Sequence, residues 1–194
     1  FEYLIIIESM TSQDKLFSID ENGYLPHVKQ IESPNYDLRP PKQSISLIVI
    51  HSISLPPNKF GNSYIEDFFI NNLDTSKHTY FKKIKDLKVS AHFLIKRKGE
   101  LIQFVSCLNK AWHAGESSWK NKNNCNDFSI GIELEGSDII TYEDIQYKVL
   151  RKLLRSLRIK YPVTDIVGHS DIAPGRKNDP GSLFDWNLIN SENF

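Results

Sequence analysis

Residues 44–52 read SISLIVIHS, and the core of this run, LIVI at 47–50, holds four apolar residues without a polar break. A short unbroken apolar run rich in β-branched residues marks a strand buried on both faces, as in a sheet covered by helices. His51 sits at its C-terminal end, followed by the loop LPPNKFGNS at 55–63. Ahead of it, residues 11–44 are polar and turn-rich and end in LRPPKQ, where Pro40 and Pro41 block a helix and favour an extended lead-in. Behind it, YIEDFFINN carries Ile65, Phe68 and Phe69 at helical spacing.

The pattern then alternates. VSAHFLIKRKGELIQFV (89–105) reads as a β-hairpin turning at RKGE, with Gly99 free to take positive φ. DFSIGIELEG (127–136) reads as a second central strand. Period-two alternation puts Ile130, Ile132 and Leu134 on one face and Gly131, Glu133 and Glu135 on the other. In TYEDIQYKVLRKLLRSLRIKYP (141–162), Ile145, Val149, Leu150, Leu153, Leu154 and Leu157 make one apolar helical stripe, with Thr141 as N-cap and six basic residues on the solvated face. VTDIV (163–167) is a short strand leading into GHSDIAPGRKNDPG (168–181), a loop too rich in glycine and proline for a regular helix or strand, and SLFDWNLIN (182–190) is a short terminal helix. The expectation is an α/β fold: a single domain with a mixed central β-sheet flanked by α-helices. Residues 1–30 form an N-terminal extension and lead-in and residues 31–190 the functional domain. Met10 is the only methionine, and the first nine residues read as an upstream extension.

Composition excludes several classes. The chain has 194 residues, 40% hydrophobic and 25% charged, with a formal net charge of zero. This is the balance of a soluble globular protein, without the basic surplus that nucleic acid or an anionic membrane calls for. No apolar run approaches a membrane span. Two cysteines, Cys107 and Cys125, do not make a disulfide framework and fit a reducing compartment. Gly-rich phosphate loops and the strained serine elbow of hydrolases are missing from the sequence.

Of six histidines, His27 and His78 lie in polar segments and read as surface residues, while His51, His92, His113 and His169 lie at strand ends or beside turns. If the strands ending at His51 and preceding His169 are parallel neighbours, both side chains emerge at one sheet edge, where sites in α/β proteins lie. Asp179 follows ten residues after His169. Two imidazoles and one carboxylate form a zinc triad with an open position, the catalytic pattern. Spacing alone leaves His92 and His113 eligible as ligands. Glu133 reads as a general base beside a glycine that leaves room, with Glu135 equally eligible by periodicity. Lys177 is placed to supply positive charge to an oxyanion, or is a solvated surface lysine. Trp112, in AWHAG (111–115), packs in the core or stacks on a flat sugar face.

Five segments, IVIHSISLPPNKFG, VSAHFLIKRKGELIQFV, AWHAG, CNDFSIGIELEG and GHSDIAPGRKNDPG, occur in this order. Together, over residues 31–186, they resemble the zinc-dependent N-acetylmuramoyl-L-alanine amidases of type 2, and within them the cytoplasmic branch that acts on 1,6-anhydro-muropeptides in peptidoglycan recycling. The resemblance implies zinc held by His51, His169 and Asp179, and Glu133 as the catalytic carboxylate. It also implies Lys177 as transition-state stabiliser and Tyr80 as a tyrosine near the metal. His92 and His113 become structural or pocket-lining. Asp179 stands where peptidoglycan-recognition proteins and phage amidases usually carry cysteine. Trp112, His113, Lys88 and Asn124 fall at substrate-contact positions, the last two replacing arginines of related enzymes, and lysine cannot grip a carboxylate bidentately. The implied protein is a cytoplasmic monomer acting on anhydro-muropeptide, with no nucleic-acid or membrane partner. The alternative within the same fold is a non-catalytic muropeptide-binding module, which typically lacks a zinc ligand.

Overall fold

A six-stranded mixed sheet organises the computed structural model, which describes residues 16–190. Met10 and the upstream extension lie outside the described residues. The strands are β1 (Lys29–Gln30), β3 (Leu47–Ile53), β4 (Phe93–Ile95), β5 (Leu101–Gln103), β9 (Ser129–Glu135) and β10 (Asp165–Gly168), in the order β1-β5-β4-β9-β3-β10. Only β4 and β5, the arms of the expected hairpin, run antiparallel; every other neighbouring pair is parallel. Two small ribbons lie outside it: β2 (Tyr36–Leu38) with β6 (Asn109–Ala111), and β7 (Ser118–Trp119) with β8 (Lys122–Asn123).

LIVI and SIGIELE occupy the middle of the sheet because helices cover both of its faces. On one face Ile48, Ile50, Ile130, Ile132 and Leu134 pack against Leu150, Leu153, Leu154 and Leu157 of α3 (Asp144–Lys160). On the other, Leu94 and Ile102 meet Ile65, Phe68 and Phe69 of α1 (Tyr64–Phe69) and Phe81 and Ile84 of α2 (Phe81–Ile84). Leu47, Val49 and Val167 form a third cluster with Phe128 and with Ile172 of α4 (His169–Ile172). Asn187–Asn190 forms the closing helix α5.

Several expectations are corrected. Thr141 does not cap α3; Glu143 does, and Gln146 Oε1 accepts the Glu143 N–H at 3.1 Å. Ile145 leaves the buried stripe and is 42% exposed, lying over the hairpin turn where a Cβ on Gly99 would sit 2.6 Å from its side chain. Gln146 is buried in its stead. Its Nε2 donates to the Ile95 and Glu135 carbonyls, both at 3.1 Å, and so bolts the helix to the sheet. The segment after β10 is not wholly irregular either: His169–Ile172 forms one helical turn, its open end held by Asp171 Oδ2 accepting the Gly168 N–H at 2.7 Å.

The polar lead-in is tied to the same sheet. β1 pairs with β5, and Leu25, 1% exposed, reaches the core with the Gln103 side chain accepting its N–H.

Candidate active site

Strand register brings the chemistry together. In the parallel β3/β9 pair, His51 lies opposite Glu133, both on the face away from α3. In the β3/β10 pair, Gly168 lies opposite Ile50, so His169 emerges one residue later at the level of His51. The parallel strands β9, β3 and β10 thus end at one edge, and the side chains emerge there.

Asp179 completes the group from the proline-rich loop. Its carbonyl accepts the Ser170 N–H at 3.0 Å, and Tyr142 Oη donates to the carbonyl of Pro180 at 2.7 Å, which anchors the loop from both sides. His51 Nδ1 and His169 Nδ1 lie 3.0 Å apart, and each lies 3.1 Å from Asp179 Oδ2. Among the described residues these three form a group of side chains able to hold a metal ion.

The hydrogen-bonding chemistry fits that use. His169 Nε2 faces the carbonyl of Ala114 at 3.0 Å, and a carbonyl can only accept. The Nε2 atom therefore carries a proton, which leaves Nδ1 as the nitrogen facing the carboxylate oxygen and the second imidazole. Buried electron-rich atoms packed this closely lack a partner that a cation would supply. Burial also pushes His51 down to about 4, so its ring is neutral and able to ligate.

Glu133 stands beside this group. It is 9% exposed and its Oε2 has no hydrogen-bond partner. Burial, with the Asp179 charge adding to it, pushes its carboxyl well above the ordinary range, while Lys177 opposes the shift. A buried carboxyl with a raised pKa and an open oxygen is suited to exchanging protons with a reacting group. Glu135, equally eligible in the sequence, is fully engaged: Oε1 accepts the Gly61 N–H at 2.6 Å and Oε2 the Arg97 N–H at 2.9 Å. It fastens the 55–63 loop instead.

A cavity of about 670 Å³ opens over the group, with His51, Glu133, His169 and Asp179 in its wall. Lys177, Tyr80, Trp112 and His113 also line it. Trp112 Nε1 donates to Asp37 Oδ2 at 2.8 Å, so the indole is held at the rim and not buried in the core. Lys88 and Asn124 are not brought into this cavity. Lys88 is exposed, between Leu87 and Val89, which do line it, and Asn124 borders a separate cavity of about 520 Å³ beside Arg176.

The two histidines that spacing left eligible as ligands do not join the metal group. The Gly131 N–H donates to His92 Nδ1 at 3.0 Å and His92 Nε2 faces the Asn109 carbonyl at 3.0 Å, which engages both nitrogens. Burial, then the Arg39 charge, pushes His92 down to about 3. His113 lies behind His51, its Nδ1 2.9 Å from His51 Nε2 and its Nε2 3.1 Å from Ser129 Oγ. Although its ring borders the cavity, neither nitrogen is left for a substrate. Ser129 was not singled out by sequence reasoning. Gly131 was the available signal, because the space it leaves is filled by the His113 ring: a Cβ there would sit 2.4 Å from it.

A mixed sheet with a His-His-Asp group at the carboxyl edge of its parallel strands, and a buried glutamate alongside, has the makings of a metal-dependent hydrolase. The family model for N-acetylmuramoyl-L-alanine amidase matches residues 41–182, and the chain belongs to that family. Within it, the chain is 47% identical over 168 residues to the 1,6-anhydro-N-acetylmuramyl-L-alanine amidase AmpD of Citrobacter freundii, covering 86% of this chain and 90% of that one. A crystal structure of AmpD superposes with a TM-score of 0.85 at 46% identity, over 87% of this chain and 96% of the other. AmpDh3 from Pseudomonas aeruginosa, crystallised in complex with anhydromuramic pentapeptide, matches at a TM-score of 0.54 and 28% identity, over 89% of this chain and 64% of that one. Among the described residues no helix is long and apolar enough to cross a membrane.

Proposed function

We propose that this chain hydrolyses the amide between the lactyl group of 1,6-anhydro-N-acetylmuramic acid and the L-alanine of the stem peptide, as a cytoplasmic monomer serving peptidoglycan recycling. The observation that carries the reading is the convergence of His51, His169 and Asp179 beside a buried Glu133 with an unpartnered oxygen. Similarity to AmpD, and the anhydromuramic peptide seen with AmpDh3, support the choice of substrate.

The metal would be zinc, held by His51, His169 and Asp179. Zinc held in such a three-ligand site supplies a Lewis acid that makes water nucleophilic near neutral pH. Glu133 takes a proton from the attacking water as its oxygen bonds to the amide carbon. As the carbon–nitrogen bond breaks, the same carboxyl returns that proton to the leaving amine, giving a carboxylic acid and an amine, and the acid's proton then passes to the amine to leave carboxylate and ammonium. Lys177, on the rim, offers its ammonium to the oxygen of the attacked carbonyl, with Tyr80 nearby. Trp112 gives the sugar a flat face to stack on.

The test is incubation with anhydro-muropeptide, read by mass spectrometry with and without chelator. Release of the stem peptide that chelation abolishes is the expected result. Retention of intact muropeptide on the zinc-loaded chain, without release, would indicate the non-catalytic binding module instead. Lys177→Ala should lower kcat by roughly 10²–10³-fold, the usual effect of losing one oxyanion donor. An unchanged kcat would assign Lys177 to the solvated surface.

A further inference from the structure

A chain of buried hydrogen bonds runs back from His51, and its proton directions can be read from its far end. Ser129 Oγ lies 2.6 Å from the Cys125 carbonyl and 3.1 Å from His113 Nε2. A hydroxyl has one proton and a carbonyl has none, so the Ser129 proton goes to Cys125 and Ser129 Oγ accepts from His113. His113 Nε2 therefore carries hydrogen. The ring is 8% exposed, packs against the imidazoles of His51 and His92, and has His51 and Ser129, neither of them a carboxylate, on its two nitrogens, so a second proton there would be a buried charge without a counter-ion. Its Nδ1 is then a bare lone pair, and that atom lies 2.9 Å from His51 Nε2. His51 must donate there from Nε2, which leaves its Nδ1 bare as well, on the side of His169 and Asp179.

We infer that Ser129 and His113 act as a positioning relay that fixes His51 in the Nε2–H tautomer, with its Nδ1 lone pair aimed at the metal. The inference rests on the metal reading of His51, His169 and Asp179 given above. The surroundings hold the relay still. Asn126 Oδ1 accepts the N–H groups of His113 and Ala114 at 3.2 and 2.9 Å, which fixes the loop bearing His113. Gly131 leaves the slot that its ring fills. The same loop supplies the Ala114 carbonyl that sets the tautomer of His169, so one segment orients both imidazole ligands.

The experiment is zinc affinity, measured on the full chain by competition with a chromophoric chelator, for two variants that separate a relay from a packing role. His113→Phe keeps a ring in the slot but removes the acceptor for His51. Its zinc affinity should fall by roughly 10–100-fold, as when an outer partner of a metal ligand is lost. His113→Asn loses the ring but keeps an acceptor oxygen where Nδ1 was, and its affinity should stay close to that of the unaltered chain. Wild-type affinity in the Phe variant, or an equal loss in both, overturns the relay. If the Phe variant does not fold, Ser129→Ala replaces it: weaker zinc binding supports the relay and unchanged binding overturns it. Nitrogen-15 spectra of the zinc-loaded chain give a second readout. They should show a protonated Nε2 and a bare Nδ1 on His113; a proton on Nδ1 would overturn the assignment. An unaltered chain that binds no zinc removes the site reading and the relay together, whereas binding by it and equally by the Phe variant removes the relay alone.

Discussion

Replacing Glu133 by glutamine should lower kcat by roughly 10²–10⁴-fold, the range for a general acid–base group. The same change should make the metal-free protein more stable at neutral pH. Both effects follow from burial. The carboxyl is 9% exposed, and burial raises its pKa well above the ordinary glutamate value of 4.5. As pH climbs past that value the unfolded chain gives up the Glu133 proton while the folded chain keeps it. Unfolding then releases a proton, and stability falls with rising pH until the folded carboxyl also ionises. Glutamine has no proton to release, so this part of the decline should vanish. Denaturant titrations of the chelated protein from acid to neutral pH would check it. A Glu133→Gln chain with the same pH slope as the parent, or with near-parental kcat, would remove Glu133 from its assigned place.

The second large effect concerns the metal. His169 Nδ1, His51 Nδ1 and Asp179 Oδ2 are held 3.0–3.1 Å apart by the fold itself. Zinc should therefore bind the folded chain far better than the unfolded one. At a free concentration a thousand times Kd the gain is about 4 kcal/mol, or about 8–16 °C in Tm at 2–4 °C per kcal/mol for a chain of this size. Asp179→Asn removes the anionic ligand and should abolish most of the shift. Thermal melts of both chains, with zinc and with chelator, give the answer; an Asp179→Asn chain stabilised as much as the parent would mean that zinc binds elsewhere.

Much of this was legible in the sequence because the central strands speak for themselves. LIVI and SIGIELE are buried on both faces, so their apolar character and alternation are set by packing, and the placing of His51 and Glu133 at the sheet edge follows. The hairpin was readable for a similar reason, since Gly99 takes φ +82° between two apolar arms. Other elements carry no signal of their own. Lys29–Gln30 and Tyr36–Leu38 are exposed and only two or three residues long, and they are strands only because β5 and β6 offer them partners. Ile145 and Gln146 exchange their expected places because open carbonyls at the ends of β4 and β9 need a donor, which an apolar periodicity count does not register. In the site, the residue types and spacing proposed a triad, but they could not tell Glu133 from Glu135. That distinction depends on whose backbone N–H groups the second carboxylate must satisfy, a long-range fact. Ser129 stayed hidden for the same reason: a serine beginning a strand looks like any other until a buried ring is found on its hydroxyl.

The distance along the chain between the ligands has a consequence for biosynthesis. His51 and His169 are separated by 118 residues, and the strand that delivers His169 pairs at the edge of the sheet with β3 alone. Contacts between such remote segments form only after a large loop has been closed. A nascent chain made only as far as residue 160 can pair its other sheet strands and yet offers the ion one of the two ligand imidazoles. Loading thus waits until the strand Asp165–Gly168 and the loop bearing Asp179 have been made and docked.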